Sequence, residues 1–255
     1  MIITQLAERG NLRCVLSSNF KNILWKDKIQ YLWNIVRDLK SLHELGYCHK
    51  DFHSGNILQI IGGSYISDFG LSGPSNKQKS DDKKICGVLP YIAPEVLNGE
   101  QYTLSSDIYS FGVIMTELSS GKPPFHNKKH NLSLSLAICN GLRPEFGKGT
   151  PEIYKKLAHR CMNANPNQRP TADELFNIFN FWWYSTNEYQ EEEKFGYKGK
   201  EIKAMFEEAD KEIPNISTLY EKDPDAIYTS RALTFKNLSK PINSSIITSL
   251  YLNDE

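Results

Sequence analysis

The chain has 255 residues, and its 30 Lys and Arg residues balance its 30 Asp and Glu residues, so its formal net charge is zero. Hydrophobic residues make up 40% of the sequence, which is enough to build a buried core and excludes a wholly disordered chain. A zero net charge argues against a protein that binds nucleic acid electrostatically, since such binding needs a basic surplus on one face.

Cysteine usage and hydropathy indicate the compartment. The five cysteines are scattered and never form a Cys-x-x-Cys pair, which suits reduced thiols better than disulfides or a zinc site. No signal peptide is visible at the start, and no apolar run approaches the ~20 residues that a transmembrane helix needs. We therefore expect a soluble, cytoplasmic protein with no membrane span and no nucleic-acid partner.

The first half of the chain predicts one long helix and one hairpin. Apolar residues recur at three- and four-residue steps over residues 25–46, which predicts an amphipathic helix that stops at Gly46. Two short β-prone runs, 57–61 and 65–67, flank a Gly-Gly turn and predict a small β-hairpin. The polar residues 71–86 predict a mobile loop.

The second half predicts a helical bundle followed by a tail. Residues 105–120 are apolar nearly all round, which is typical of a helix buried inside a helical domain. Shorter helices are predicted over 131–140, 151–162 and 171–184. After residue 184 the composition becomes charged and then rich in Ser, Asn and Thr, so we expect one amphipathic helix near 202–209 and an otherwise irregular tail.

Three short motifs carry the strongest chemical signal, and they occur in a fixed order. Residues 49–56 read His-Lys-Asp-Phe-His-Ser-Gly-Asn, residues 68–70 read Asp-Phe-Gly, and residues 93–95 read Ala-Pro-Glu. Together, at these intervals, they resemble the H-R-D-x-x-x-x-N, D-F-G and A-P-E motifs of protein kinases. Further matches that extend the resemblance over residues 1–184 lie at 4–12, 106–112, 121–125 and 165–170.

This resemblance implies a fold, a domain organisation and an activity. The fold would be mainly α: the C-terminal lobe of the α+β kinase fold, truncated, with a helical bundle around a buried helix and a small β-hairpin. Residues 1–184 would form the hinge and C-terminal lobe, and residues 185–255 a tail that offers a docking surface for a partner. The activity would be ATP-dependent phosphoryl transfer, with Mg²⁺, to Ser/Thr hydroxyls of protein substrates in signalling, because the chain most resembles the tyrosine-kinase-like branch.

The resemblance also assigns roles in catalysis. Asp51 would accept or orient the proton of the substrate hydroxyl, a role that suits a carboxylate on a short loop. Asn56 and Asp68 would hold Mg²⁺, since an amide carbonyl and a carboxylate are the hard oxygen ligands that this ion prefers. Lys50 and His53 complete the catalytic loop.

Supporting roles follow in the same way. Asp107 would accept hydrogen bonds from backbone amides of the catalytic loop, and Glu95 and Arg169 would form a buried ion pair. His49 and Phe69 belong to the same structural support.

The nucleotide would contact the residues at the start of the resemblance and on the hairpin. These are Thr4 at the gatekeeper position, Leu6 and Ala7 on the hinge, and Leu58 beneath the adenine. The polar loop supplies three candidate phosphosites, Ser72, Ser75 and Ser80.

The sequence departs from the kinase pattern on its substrate side. Lys50 stands in place of an Arg, which replaces a bidentate fork with a point charge. His53 replaces the lysine that Ser/Thr kinases carry two residues after the catalytic Asp, and Val88 replaces the Thr that pairs with it.

The larger departure is that no Gly-rich phosphate loop or ATP-binding lysine precedes the hinge motif. We therefore expect this chain alone to bind ATP poorly and to show little phosphotransfer. Two other interpretations stay open: a pseudokinase-like interaction module without catalysis, and a gene model in which Met1 is an internal methionine. Residues 49, 51 and 53 alternate as His, Asp and His, and taken alone they could also ligate a metal ion.

Overall fold

The computed structural model describes residues 6–75, 85–188, 192–235, 238–245 and 247–248. Thr4 and Ser80, two of the predicted site residues, lie outside these ranges. No helix within these ranges is long and apolar enough to cross a membrane.

Helices build most of the described structure, and the helices expected from periodicity are confirmed to within a few residues. The α-helices in the described ranges are α1 (Leu12–Asn19), α2 (Trp25–Glu44), α3 (Pro94–Leu97), α4 (Leu104–Ser120), α5 (Leu132–Cys139), α6 (Glu152–Cys161), α7 (Ala172–Asn187) and α8 (Gly199–Asp210).

Among the described residues, four small antiparallel ribbons connect these helices. The predicted hairpin is confirmed, with Ile57 opposite Ile66. The pairs are β1 (Tyr47–Cys48) with β4 (Gly73–Pro74), β2 (Ile57–Ile60) with β3 (Gly63–Ile66), β5 (Ile85–Gly87) with β8 (Arg231–Leu233), and β6 (Glu193–Lys194) with β7 (Tyr197–Lys198).

Helix α4 is the centre of the core. Every residue from 106 to 119 is buried, which explains why its sequence has no polar face. Gly112 lets α6 approach closely, since a Cβ there would lie 2.7 Å from the Met162 side chain. The helix ends at Gly121, whose φ of +69° places it in the left-handed region that glycine adopts without strain.

The prediction of a loop over residues 71–86 is wrong at both ends of this range. Residues 73–74 pair with β1, and residues 85–86 belong to β5, which pairs with β8 about 145 residues later in the chain. Such two- and three-residue strands are fixed by distant backbone partners and have no hydrophobic period of their own. Residues 76–84 of the predicted loop lie outside the described ranges.

In the part that the structure describes, the chain beyond residue 184 has one further helix, α8, and short strands, and it packs against the other helices. Helix α7 continues to Asn187, and α8 packs on α7 and α2 through Ile202 and Phe206, which are both buried. Further along, Ala226 and Leu233 are buried as well. The tail therefore contributes to the core instead of extending into solvent.

Candidate active site

The motif at residues 49–56 forms the loop between β1 and β2, and Asp107 holds this loop in place. Asp107 sits in the first turn of α4 and is 1% exposed. Its carboxylate accepts hydrogen bonds from the backbone amides of His49 (2.8 Å) and Lys50 (3.1 Å), and it lies 3.1 Å from His43 Nε2. A helix N-terminus favours a negative charge, so the buried carboxylate is stabilised from both sides.

Lys50 has an unusual backbone conformation on this loop. Its φ is +69°, in the left-handed region that is costly for a residue with a Cβ. The bond from its amide to Asp107 helps to hold it there. The Lys50 amine lies so close to Gly73 that a Cβ on that glycine would be 2.9 Å away. The Lys50 amine therefore lies against β4.

His49 links the catalytic loop to the Asp-Phe-Gly motif. It is fully buried, its Nε2 lies 3.0 Å from the Ser67 carbonyl oxygen, and its Nδ1 accepts the Asp51 amide at 3.3 Å. This network assigns the neutral tautomer with the proton on Nε2. Its ring also contacts Phe69, with the centroids 5.3 Å apart.

Asp51 is buried, at 6% exposure, and its surroundings favour the ionised form. Burial by itself raises the pKa of Asp51, but hydrogen bonding and charge from His53, together with a contact from Ser230, outweigh burial and hold the pKa below its ordinary value. His53 Nε2 lies 3.5 Å from Asp51 Oδ1. The Asn56 amide donates to the Asp51 carbonyl oxygen at 3.0 Å. The result is a fixed carboxylate that is charged at neutral pH and able to accept a proton.

Asn56 and Asp68 lie together at the open end of the β2–β3 hairpin. The two strands begin and end at the Ile57–Ile66 pair, and the Ser67 amide donates to the Asn56 carbonyl oxygen at 2.9 Å. Asp68 is exposed, has a φ of +61°, and accepts a weak bond from the Gly70 amide at 3.4 Å.

The donor set of these two residues fits Mg²⁺. Because the Asn56 nitrogen already donates to Asp51, its amide oxygen is the atom left for a ligand, and the Asp68 carboxylate is exposed. Mg²⁺ commonly takes one or two protein oxygens and fills its remaining positions with water and phosphate oxygens. The pair can therefore hold the ion together with a nucleotide.

The alternative metal site at residues 49, 51 and 53 does not form. Both ring nitrogens of His49 are occupied by Ser67 and by the Asp51 amide. Within the described ranges no group of three or more His, Cys, Asp or Glu residues is placed to hold a metal ion.

Three of the residues expected to contact a nucleotide lie on the hairpin or on the segment that runs against it. Leu58 is half-buried, pairs with Tyr65, and forms an isolated bridge with Asn11. The Gln59 amide donates to the Gly10 carbonyl oxygen at 2.8 Å, which holds the segment before α1 against β2. Leu6 is 78% exposed at the start of that segment, and Ala7 accepts the Gly10 amide at 3.0 Å.

Two of the candidate phosphosites lie close to the catalytic loop. The half-buried Ser72 hydroxyl donates to the His49 carbonyl oxygen at 3.3 Å. The Ser75 amide donates to the Gly46 carbonyl oxygen at 3.0 Å.

Glu95 and Arg169 form a buried, fully bonded ion pair below the loop. Two guanidinium nitrogens of Arg169 each lie 2.7 Å from one oxygen of Glu95. Two further donors of Arg169 go to the carbonyl oxygens of Asn163 (2.8 Å) and Ser105 (2.9 Å). The bidentate geometry and the satisfied donors compensate the cost of burying both charges.

Sequence reasoning missed a second group of residues above the catalytic loop. Arg13 on α1 donates to the Tyr91 hydroxyl at 3.2 Å, and Tyr91 donates to the buried Glu117 at 2.5 Å. Arg13 also donates to the carbonyl oxygen of Tyr228 in the tail, at 3.1 Å, and Ser230 follows two residues later at Asp51. Each of these residues looks ordinary in the sequence, and distant chain segments bring them together.

Comparison with known proteins agrees with this geometry. The sequence model of the protein tyrosine and serine/threonine kinase family matches residues 1–179. A probable serine/threonine-protein kinase of Dictyostelium discoideum is 30% identical over 177 residues, and a second one is 33% identical over 181. A putative serine/threonine-protein kinase/receptor of Acanthamoeba polyphaga mimivirus is 33% identical over 177 residues.

These matches cover 68–69% of this chain but only 11%, 17% and 11% of the three relatives in the order given, so the chain spans less than a fifth of their length. The matched region contains the catalytic loop, the Asp-Phe-Gly motif and the Glu95–Arg169 pair. The chain belongs to the protein tyrosine and serine/threonine kinase family.

Proposed function

We propose that residues 1–184 are the hinge and C-terminal lobe of a kinase domain that transfers the γ-phosphoryl group of ATP to Ser or Thr hydroxyls of a protein substrate in signalling. The observation that carries this proposal is the arrangement around Asp51. A buried, ionised carboxylate is held on a loop by Asp107, and the oxygen-bearing side chains of Asn56 and Asp68 lie at the neighbouring hairpin. Phosphoryl transfer depends mainly on such positioning and on charge neutralisation.

Each residue has one task in this reaction. Asp51 orients the acceptor hydroxyl and takes its proton. Asn56 and Asp68 hold the metal ion, which neutralises phosphate charge when it is bound. Leu58 and the hinge residues Leu6 and Ala7 present an apolar surface to the adenine. The preference for Ser and Thr is supported by the relatives, whose names describe serine/threonine kinases.

A direct test measures phosphate transfer from Mg–ATP to a mixture of Ser/Thr peptides by the 255-residue chain. We expect transfer, slow in this chain, that falls by about 10²-fold or more in Asp51→Asn, since a positioned general base contributes that much. Asp173→Asn is the matched control, because Asp173 is exposed and its side chain contacts only Lys40 and Asn177 among the described residues, away from the catalytic loop. Equal rates in the Asp51→Asn variant and the wild type would contradict the proposal.

Nucleotide binding gives a second readout that does not require catalysis. Mg–ATP at 100 times its Kd should stabilise the chain by about 2.7 kcal/mol, through mass action. Asp68→Asn should remove the part of this effect that depends on Mg²⁺. A chain that neither binds Mg–ATP nor transfers phosphate would instead favour the pseudokinase-like interaction module.

A further inference from the structure

The tail crosses the lobe directly above the catalytic loop. Tyr228 anchors this crossing: its hydroxyl donates to the Pro124 carbonyl oxygen at 2.8 Å, and its own carbonyl oxygen accepts Arg13 at 3.1 Å. The Arg13 guanidinium also lies over the Tyr228 ring, 4.7 Å from its centroid. A cation over an aromatic face is an additional attraction. The tail is thus fixed two residues before Ser230.

His130 provides a second anchor on the same side. Its buried Nδ1 lies 2.9 Å from the Ile227 carbonyl oxygen and 3.1 Å from the Ile227 amide. The Arg231 guanidinium donates to the His130 carbonyl oxygen at 2.6 Å. The backbone is therefore held on both sides of Ser230, which restricts where its hydroxyl can lie.

Beyond Ser230 the tail becomes strand β8 and pairs with β5. The antiparallel register places Arg231 opposite Gly87 and Leu233 opposite Ile85, and Leu233 is 7% exposed. Strand β5 belongs to the segment between the Asp-Phe-Gly and Ala-Pro-Glu motifs. An extended peptide is thus paired, backbone to backbone, with the segment that borders the catalytic loop.

This register brings Ser230 to Asp51. A Cβ on Gly87 would lie 3.5 Å from Asp51 Oδ1, so the end of β5 borders the carboxylate. Ser230 precedes the residue that pairs with Gly87, so it lies next to the backbone that borders the Asp51 carboxylate. Ser230 is exposed and can be reached from solvent, whereas Asp51 is buried.

We propose that Ser230 is a phosphoacceptor of the chain's own active site, and that residues 226–233 are held across the catalytic loop as its bound acceptor peptide. The proposal deepens the function proposed above and rests on it. Its basis is the paired backbone of β5 and β8, the anchors at Tyr228 and Arg231, and the place of Ser230 next to the residue that pairs with Gly87 at the edge of Asp51.

The reaction is a simple displacement. Ser230 Oγ forms a bond to the γ-phosphorus of ATP, the bond from that phosphorus to the bridging oxygen breaks, and ADP leaves. The hydroxyl proton passes to the Asp51 carboxylate. Once Asp51 has released this proton to water, the product places a phosphate of about −2 charge beside an ionised carboxylate, and like charges at this distance repel. Phosphorylation should therefore release the tail from β5 and open the site to other substrates.

The test incubates the 255-residue chain with Mg–ATP and a Ser/Thr peptide mixture in the same tube and locates phosphate by mass spectrometry. Because the acceptor is already positioned, slow chemistry over hours suffices for detection, and the rate at Ser230 should vary by less than about twofold over a tenfold range of protein concentration. Ser230→Ala should lose the phosphate, whereas Thr229→Ala, at the exposed neighbouring hydroxyl, should keep it. Asp51→Asn with an unchanged melting temperature should lose it as well.

Three possible results would contradict the inference, and they differ in whether the proposed function also fails. Phosphate on the peptides but none on Ser230 would overturn the inference and leave the proposed function standing. A rate at Ser230 that rises with protein concentration would show transfer between molecules and would overturn the intramolecular arrangement. Phosphate on neither acceptor would overturn the proposed function, and the acceptor role of Ser230 with it.

Discussion

The two sides of the catalytic loop are held in different ways. Below the loop, Asp107 and the Glu95–Arg169 pair are buried charges whose hydrogen bonds come from backbone and side chains of the core. Above it, residues 226–233 are held by backbone pairing and by partly buried hydrogen bonds between uncharged or singly charged groups, and Ser230 itself is exposed. A buried charge is costly to leave unpaired, whereas each of these single hydrogen bonds contributes only about 1 kcal/mol. The lower side is therefore a fixed support, and the upper side is a cover that can be displaced.

The largest effect should come from breaking the support. Arg169→Ala leaves Glu95 as an unpaired buried charge and should lower the free energy of unfolding by about 3–5 kcal/mol. Lys129→Ala is the matched control, since the Lys129–Asp225 pair is exposed and such pairs contribute little to stability. Urea denaturation of both variants measures the difference. Equal losses would mean that the buried pair is no more important than a surface pair.

Lys28 is a buried basic residue without such bonding, so removal of its amine should stabilise the folded protein instead of destabilising it. Lys28 is fully buried between the rings of Phe20 and Trp25, and its amine has no hydrogen-bond partner among the described residues. Burial lowers the pKa of Lys28 to about 7, against a smaller opposing effect of Asp210. Lys28→Met should therefore raise the free energy of unfolding at pH 7 by about 1–4 kcal/mol.

The same residue predicts a pH dependence. Between pH 7 and its ordinary pKa of 10.5, Lys28 is protonated in the unfolded chain but neutral in the folded one. The unfolded state then binds more protons, so the stability of the wild type should rise with pH across this window relative to that of Lys28→Met. Parallel stability curves for the two proteins would contradict the burial of this amine.

A smaller loss of stability is expected when the hydrogen bonds between Asp107 and the catalytic loop are broken. Asp107→Asn keeps the shape of the side chain but replaces one acceptor oxygen with a donor, which leaves a buried amide of His49 or Lys50 unsatisfied. The cost should be about 1–3 kcal/mol, measured by thermal unfolding. Asp225→Asn, at an exposed pair with Lys129, serves as the control and should change little. An Asp107→Asn variant as stable as this control would show that the loop needs no support from α4.

The smallest effect on overall stability should come from a substitution in residues 226–233, which cover the catalytic loop. Arg231→Ala removes one bond to the His130 carbonyl oxygen and should cost about 1 kcal/mol in global unfolding. Its effect should appear locally, as faster hydrogen exchange of β5 and β8. Unchanged exchange in both strands would mean that Arg231 does not hold the tail.

The support was largely predictable from the sequence, whereas the cover was not. Helix α4 and the hairpin have clear hydrophobic patterns in the sequence. The order and spacing of the motifs single out Asp51, Asn56, Asp68 and Asp107 from the sequence alone. Strands β5 and β8 are three residues long and lie about 145 residues apart, so no local pattern predicts that they pair. Arg13 and Ser230 carry no motif, and their roles depend entirely on the packing that brings α1 and the tail together.

The most direct test of this difference is hydrogen exchange of the wild-type chain under native conditions. We expect the amides of His49 and Lys50, which donate to buried Asp107, to exchange only when the whole lobe unfolds. The paired amides of β5 and β8 should exchange through local opening, at least about 100-fold faster. Equal protection of the two sets would show that the tail is part of the fixed support, and it would contradict a displaceable cover over the active site.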